Sequence, residues 1–244
     1  MDKSLLVREA TEIAVEGFVR VNFANELRAI LREVKYLQLL DFPIPETALK
    51  LFAKVETYRV QTLRLQIIVD MYNNILATLL PVEKPLLAKK IDNMGKSLQA
   101  GIDTLKWNSE GIDKFISVAH ATVQEVDELV KKMKENVTKI HTFMDCWKDK
   151  VFFERKPKPM PPDELMSSHT ATVENRFEEV LNQGKEITKL LRDTESNIKP
   201  EKSSSEWRAY VDYVNGLVIA GITTGINASL LDLLKNININ QSAL

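Results

Sequence analysis

Gly95-Lys96-Ser97 ends the way a phosphate-binding loop ends. In such a loop a glycine stands five residues before the Gly of that triplet, and successive backbone N–H groups wrap the phosphates. Here that position is Lys90, and the stretch ahead of it is helical in pattern rather than a strand. The triplet therefore has no cradle. His120, His141 and His169 do not stand at metal-ligand spacing, and no Cys/His cluster accompanies them. His120 and His141 fall beside an apolar seam, which makes them solvated or rim positions. Cys146 is the single cysteine; an intrachain disulfide is impossible, which fits a reducing compartment. It reads as an inert helix residue, because nothing near it in sequence resembles a base. The acid pairs Glu178-Glu179 and Asp127-Glu128 lie on polar helix sides, as solubilising charge and intrahelical partners. No serine sits in a nucleophile elbow. These residue types point away from catalysis, from a cofactor or small-molecule ligand, and from a metal.

The elements that would have to position any chemistry are long helices. With 33 Lys plus Arg against 34 Asp plus Glu, the net charge is −1 and the two signs are interspersed, so neither nucleic acid nor an anionic membrane is called for as a partner. Only 8 glycines and 7% aromatics leave little for turns and strands, which favours an all-α fold. The N-terminal "MDKSLLVREATEIAVEG" lacks the apolar core of a signal peptide. Residues 214–234 are the best candidate for a membrane span, but Asn215, Thr223, Thr224, Asn227 and Asp232 interrupt them. They read as a mostly buried helix, in which the pair Gly221 and Gly225 would let another backbone come close.

The first helical segment is expected from about Ser4 to Leu40, with Asn22 or Asn25 as a cap for a restart near "RVNFANEL". Pro43 and Pro45 make a corner, and a second helix starts at Pro45, where the missing N–H costs nothing. Its stripe is Phe52, Val55, Thr62, Leu65, Val69, Tyr72, Leu76 and Leu79, with one turn skipped after Val55. Pro81 and Pro85 close it. A third helix covers about Glu83 to Asp103, weakened at Gly95 and Gly101 by roughly 1 kcal/mol each relative to Ala. The clearest pattern follows. Ile112, Ile116, Ala119, Val123, Val126, Val130, Met133, Val137, Ile140, Met144 and Trp147 alternate steps of four and three without a break. That 3.5-residue period predicts one straight bundle or coiled-coil helix roughly 54 Å long. After the basic, proline-rich "RKPKPMPP", a fifth helix runs from Pro162 or Asp163 to Glu195. Its seam is Met166, His169, Val173, Phe177, Val180, Gly184, Ile187 and Leu191. A flexible "KPEKSSSE" precedes a last helix from Trp207 to about Lys235. No strand is expected.

The words "VNFANELRAILREVKYL", "IVDMYNNILATLLPVEKPLL", "GIDTLKWNSEGIDKFI" and "WRAYVDYVNGLV" fall in an order and spacing that resembles the N-terminal tail region (region 1) of dynein heavy chains, the axonemal type in particular. The residues carrying the resemblance are Asn22, Phe23, Arg32, Glu33, Tyr36, Leu37, Pro45, Tyr72, Asn73, Glu83, Pro85, Leu86 and Trp107. The chain departs from the family's usual Asp-Pro after Asn22-Phe23, where it has Ala24 and Asn25. The resemblance implies elongated stacked helical bundles: a tail bundle over 1–155, a linker over 156–162 and a partial bundle over 163–244. It implies a non-catalytic stem segment without the motor's ATPase, which holds intermediate, light intermediate or light chains and meets other heavy chains. It also implies a cytoskeletal place in the cytoplasm, at the axoneme of a cilium or flagellum, and either a piece of a much longer heavy chain or a short gene model of one. The other reading is a generic spectrin-like bundle scaffold, whose long internal repeat is not visible here.

Overall fold

A computed structural model describes residues 3–8, 17–150, 160–200 and 204–241. Of these residues, 81% are helical. The chain divides into two compact units, residues 1–130 and 131–244.

Unit 1 opens with a departure from the expected helix. Where a helix from Ser4 was predicted, β1 (Leu6–Arg8) and β2 (Val19–Val21) pair antiparallel, Leu6 facing Val21 and Arg8 facing Val19. The residues explain it. Val7, Val19 and Val21 are β-branched and stiff in a helix but suited to a pleated surface. Leu5, Leu6 and Val19 are almost fully buried. The backbone also docks outward: Leu5 N–H donates to the Leu105 carbonyl at 3.0 Å, and Ser4 bridges Lys106. Helix α1 then runs Asn25–Leu39, burying Leu27, Leu31 and Val34. It ends in a turn at Asp41, whose φ of 57° is left-handed. The prolines form the expected corner. Pro45 caps α2 (Glu46–Phe52), its carbonyl accepting from Ala48 and Leu49.

The second predicted helix is two. A break at Ala53–Lys54 separates α2 from α3 (Val55–Thr78). The buried seam of α3 is Tyr58, Gln61, Leu65, Ile68, Tyr72 and Ile75, continued by Leu79, in unbroken steps of three and four. Half of the predicted stripe lay at its edge: Phe52, Val55, Thr62 and Leu76 are half-buried. The gap after Val55 in that stripe is filled by Tyr58 and Gln61, residues an apolar count overlooks. The third predicted helix is also interrupted, at Leu87, into α4 (Glu83–Leu86) and α5 (Ala88–Asp103). Gly101 has a packing reason: a Cβ there would lie 2.5 Å from the Phe115 ring and 3.1 Å from Leu6.

Helix α6 (Ile112–Asp149) is the predicted long helix, and all eleven residues of its predicted seam are buried. Its first half belongs to unit 1 and its second to unit 2. Unit 2 adds α7 (Pro162–Ile198) and α8 (Ser205–Gln241). Pro162 opens α7, and the left-handed Lys199 closes it. Ser204 Oγ accepts the Trp207 N–H at 3.1 Å, an N-terminal cap for α8. The proline-rich stretch 151–159 lies outside the described residues.

Two expectations for unit 2 need correction. The predicted α7 seam is buried only toward its end, at Ile187, with Thr194 and Ile198 beyond it; Met166 and Phe177 are about 70% exposed. Helix α8, read as mostly buried, has 17% of its apolar window buried. It packs by one stripe: Tyr210, Val214, Gly221, Gly225 and Ser229. By length and composition alone it is apolar enough to cross a membrane. The glycine pair behaves as predicted. A Cβ on Gly221 would meet Met144 at 2.8 Å, and one on Gly225 would lie 2.8 Å from the Trp147 carbonyl oxygen.

Candidate functional site

The residues that could do chemistry are absorbed by helix structure. Gly95-Lys96-Ser97 lies inside α5, where Ser97 Oγ donates back to the Met94 carbonyl and Lys96 pairs with Asp92. Cys146 is a half-buried thiol on α6. No group of three His, Cys, Asp or Glu side chains able to hold a metal occurs among the described residues. What is left is a set of internal locks and a set of uncovered faces.

The first lock joins the strands to the helices. Phe23 meets the Trp107 ring edge-on at 4.8 Å between centroids, and Tyr58 lies against both. The Trp107 indole N–H donates to the Asn22 carbonyl at 2.8 Å. Asn22 N–H in turn donates to the Leu5 carbonyl at 2.8 Å. Arg28 sits over the outer side of this cluster, 5.5 Å from the Phe23 centroid. Phe23 and Trp107 were singled out from the sequence; Tyr58 was not. Its only signal was the 3.5-residue spacing back from Leu65, which Gln61 obscures.

The second lock is Asn73. Its Oδ1 accepts the Val19 N–H at 3.0 Å, and its Nδ2 donates to the Val19 carbonyl at 2.8 Å. One amide thus satisfies the outward backbone pair of β2 as a neighbouring strand would. Tyr72 beside it is buried, and burial holds its phenol above the ordinary tyrosine value against the opposing charge of Arg8. Tyr58 is raised for the same reason, burial. Glu83 makes the third lock. It is fully buried, its carboxylate accepts the Leu80 N–H at 2.8 Å, and its own N–H donates to the Leu80 carbonyl at 2.9 Å. The carboxylate bond is half of a capping box, the return bond coming from backbone and not from a side chain, and it explains the Pro-Val-Glu-x-Pro word.

The remaining motif residues do not join these locks. Leu37 and Leu86 are half-buried; Pro45 and Pro85 are exposed at helix starts. Arg32, Glu33 and Tyr36 lie on the outer face of α1.

Unit 2 is held differently. Asn136 Nδ2 donates to the Leu190 carbonyl and to Thr194 Oγ1, and the Trp147 indole donates to Gln183. Lys150 and Arg176 both meet Glu179. Hydrogen bonding from Lys150 is the chief reason that carboxyl titrates below the usual range, with Arg176 adding to it. Uncovered apolar surface remains on both helices. On α7 a shallow groove of about 390 Å³ is lined by Phe177, Val180, Leu181, Gly184, Lys185 and Thr188. On α8, Ile219, Ile226, Leu230, Leu231 and Leu234 are between 44% and 64% exposed.

Residues 1–115 match the family model described as dynein heavy chain, N-terminal region 1. The chain is 32% identical over 265 residues to the dynein beta chain of the flagellar outer arm of Chlamydomonas reinhardtii, covering 96% of this chain and 6% of that one. It is 32% identical to the ciliary dynein beta chain of Heliocidaris crassispina, over 97% of this chain and 5% of that one. To dynein axonemal heavy chain 17 of Mus musculus it is 30% identical, over 93% and 5%. The chain thus spans about a twentieth of the length of these relatives.

Proposed function

Because this chain belongs with the axonemal dynein heavy chains, through their N-terminal region 1 at residues 1–115 and through similarity along nearly its whole length, we propose that it serves as a non-catalytic segment of a dynein heavy chain tail. In this reading it is a scaffold. It associates with other heavy chains and with intermediate, light intermediate or light chains of a microtubule motor complex at the axoneme of a cilium or flagellum. ATP hydrolysis belongs to heavy-chain regions outside the matched segment.

One observation carries the scaffold reading: the uncovered apolar length of α8. A helix that is apolar all round needs cover on every side. Unit 2 covers one stripe of it, and the Ile219-to-Leu234 face stays in solvent. A large exposed apolar patch marks a contact surface. Few charges interrupt this one, so its association should be insensitive to salt.

The test is sedimentation of the purified chain, with pull-down of dynein intermediate-chain and neighbouring heavy-chain segments at low and high salt. Capture that survives high salt and is lost on Leu230→Ser/Leu234→Ser is the expected result. A clean monomer that captures no dynein subunit in either condition would remove the scaffold role from this stretch. ATPase activity and metal content of the same preparation are expected to be nil.

A further inference from the structure

The outer side of α1 carries a row of which the packing of unit 1 uses only Arg28, over the Phe23 ring. Arg28, Arg32 and Lys35 step by four and three, so they share one side of the helix, and Leu39 continues the row. The buried side is elsewhere, at Leu27, Leu31 and Val34. The row ends at a knot of uncovered apolar residues around the Asp41 turn: Tyr36, Leu39, Leu40 and Phe42 are 57%, 72%, 66% and 59% exposed. In α2, against which α1 packs, Leu49 is also uncovered. Among the described residues Arg32 and Lys35 have no ion pair, whereas Glu26 is held by Lys3 and Glu46 by Lys50.

We propose that this corner, the basic row of α1 running into the apolar turn at Leu39–Phe42, docks an acidic amphipathic helix of another protein. From Arg28 to Leu39 is eleven residues, about 17 Å of helix. That is three turns, long enough for one partner helix to lay an apolar seam on Tyr36, Leu39 and Phe42. A purely apolar partner would bury Arg32 and Lys35 without a counter-charge, which is costly. Acidic residues flanking the seam satisfy them. A lipid surface fits less well. Between residues 26 and 54 the cations Arg28, Arg32, Lys35, Lys50 and Lys54 are nearly balanced by Glu26, Glu33, Asp41 and Glu46. A second copy about a two-fold axis would set the basic row against itself. The surface lies in unit 1 and is separate from the α7 and α8 faces, so this proposal does not rest on theirs.

The experiment titrates the full chain into two fluorescein-labelled helical peptides with the same leucine seam, one flanked by Glu and one by Lys, and reads anisotropy. At about 50 mM salt the Glu peptide should bind at least about tenfold tighter, and the margin should shrink at about 500 mM. Arg32→Glu/Lys35→Glu should invert the preference. Leu39→Ser/Phe42→Ser should weaken both peptides. All four positions are exposed, so circular dichroism and the urea midpoint should stay at the parent values. Equal affinity for the two peptides overturns the proposal, as does a preference that survives the charge reversal. Two further outcomes overturn it: charge-dependent binding to phosphatidylserine vesicles in place of the peptides, and self-association that the reversal abolishes.

Discussion

Unit 1 and unit 2 are built from the same kind of helix, yet they close their interiors by different means. Unit 1 places polar side chains inside and sets them on backbone groups: Asn73 on Val19, Trp107 on the Asn22 carbonyl, one carboxylate oxygen of Glu83 on Leu80. Each of these groups fixes a backbone segment that is not helical. Unit 2 has polar bonds as well, Asn136 on Leu190 and Thr194 and Trp147 on Gln183, but these join helix to helix, and α8 is held by close approach, with Gly221 and Gly225 set against Met144 and the Trp147 backbone. Its two added helices leave apolar faces uncovered. Irregular backbone demands polar partners, whereas helices alone can pack by shape. Both units leave apolar surface uncovered, unit 1 at the Leu39–Phe42 turn and unit 2 along α7 and α8, so what differs between them is how the interior is closed.

The most severe way to break the comparison strikes what both units share, the α6 seam. Val130 is 5% exposed in the middle of that seam. Val130→Asp buries an unpaired carboxylate and should cost about 4 kcal/mol, against under about 0.5 kcal/mol for the exposed Lys131→Asp. Equal shifts of the urea midpoint would mean that the seam is not the buried face. Next in size is a change confined to unit 2. Gly225→Leu must push a side chain into the Trp147 carbonyl and should cost about 2–3 kcal/mol. Gly184→Leu on α7, where a Cβ meets nothing within 4 Å, should be neutral or stabilising. If the two leucines behave alike in thermal denaturation, close approach is not what holds α8.

A smaller effect separates the units by chemistry. Asn73→Ala removes both partners of the Val19 peptide groups and should cost about 1–3 kcal/mol. The loss should be local. Amide hydrogen exchange at Val19 should quicken while the α6 amides of unit 2 keep their protection. Quickening throughout unit 2 would erase the distinction between a polar-locked unit and a shape-packed one.

What the sequence revealed follows the same division. The α6 seam was legible because eleven apolar residues keep one period. The glycine pair was legible because small residues at four-residue spacing have few other uses in a helix. The strands were not. Leu6–Arg8 and Val19–Val21 are three residues each, too short for alternation to register, and what holds them is Asn73, more than fifty residues away. The true α3 seam was hidden because Gln61 and Tyr58 stand in it. Asn22, Phe23, Asn73, Glu83 and Trp107 were marked through family resemblance, and their physical roles emerge from contacts between distant segments. Buried cover on α8 was overestimated because apolarity reports what a helix needs, not what its own unit supplies.

The smallest expected effect tests whether charge matters to unit 2 at all. Glu179 accepts from Lys150 and Arg176, and its carboxyl titrates below the ordinary carboxylate value. A carboxylate whose folded value lies below its unfolded one stabilises the fold above the unfolded value, near 4.5, and loses that contribution as pH falls through the folded one. The side chain is 31% exposed, so solvent screens the pair and the contribution should stay within about 1 kcal/mol. Glu179→Gln should therefore lower the urea midpoint slightly at pH 7. The difference from the parent should close below pH 4 and shrink at high salt. A midpoint gap that persists unchanged at pH 3 would assign the effect of Glu179 to packing of its stem. Unit 2 would then be shape-packed down to its charged residues.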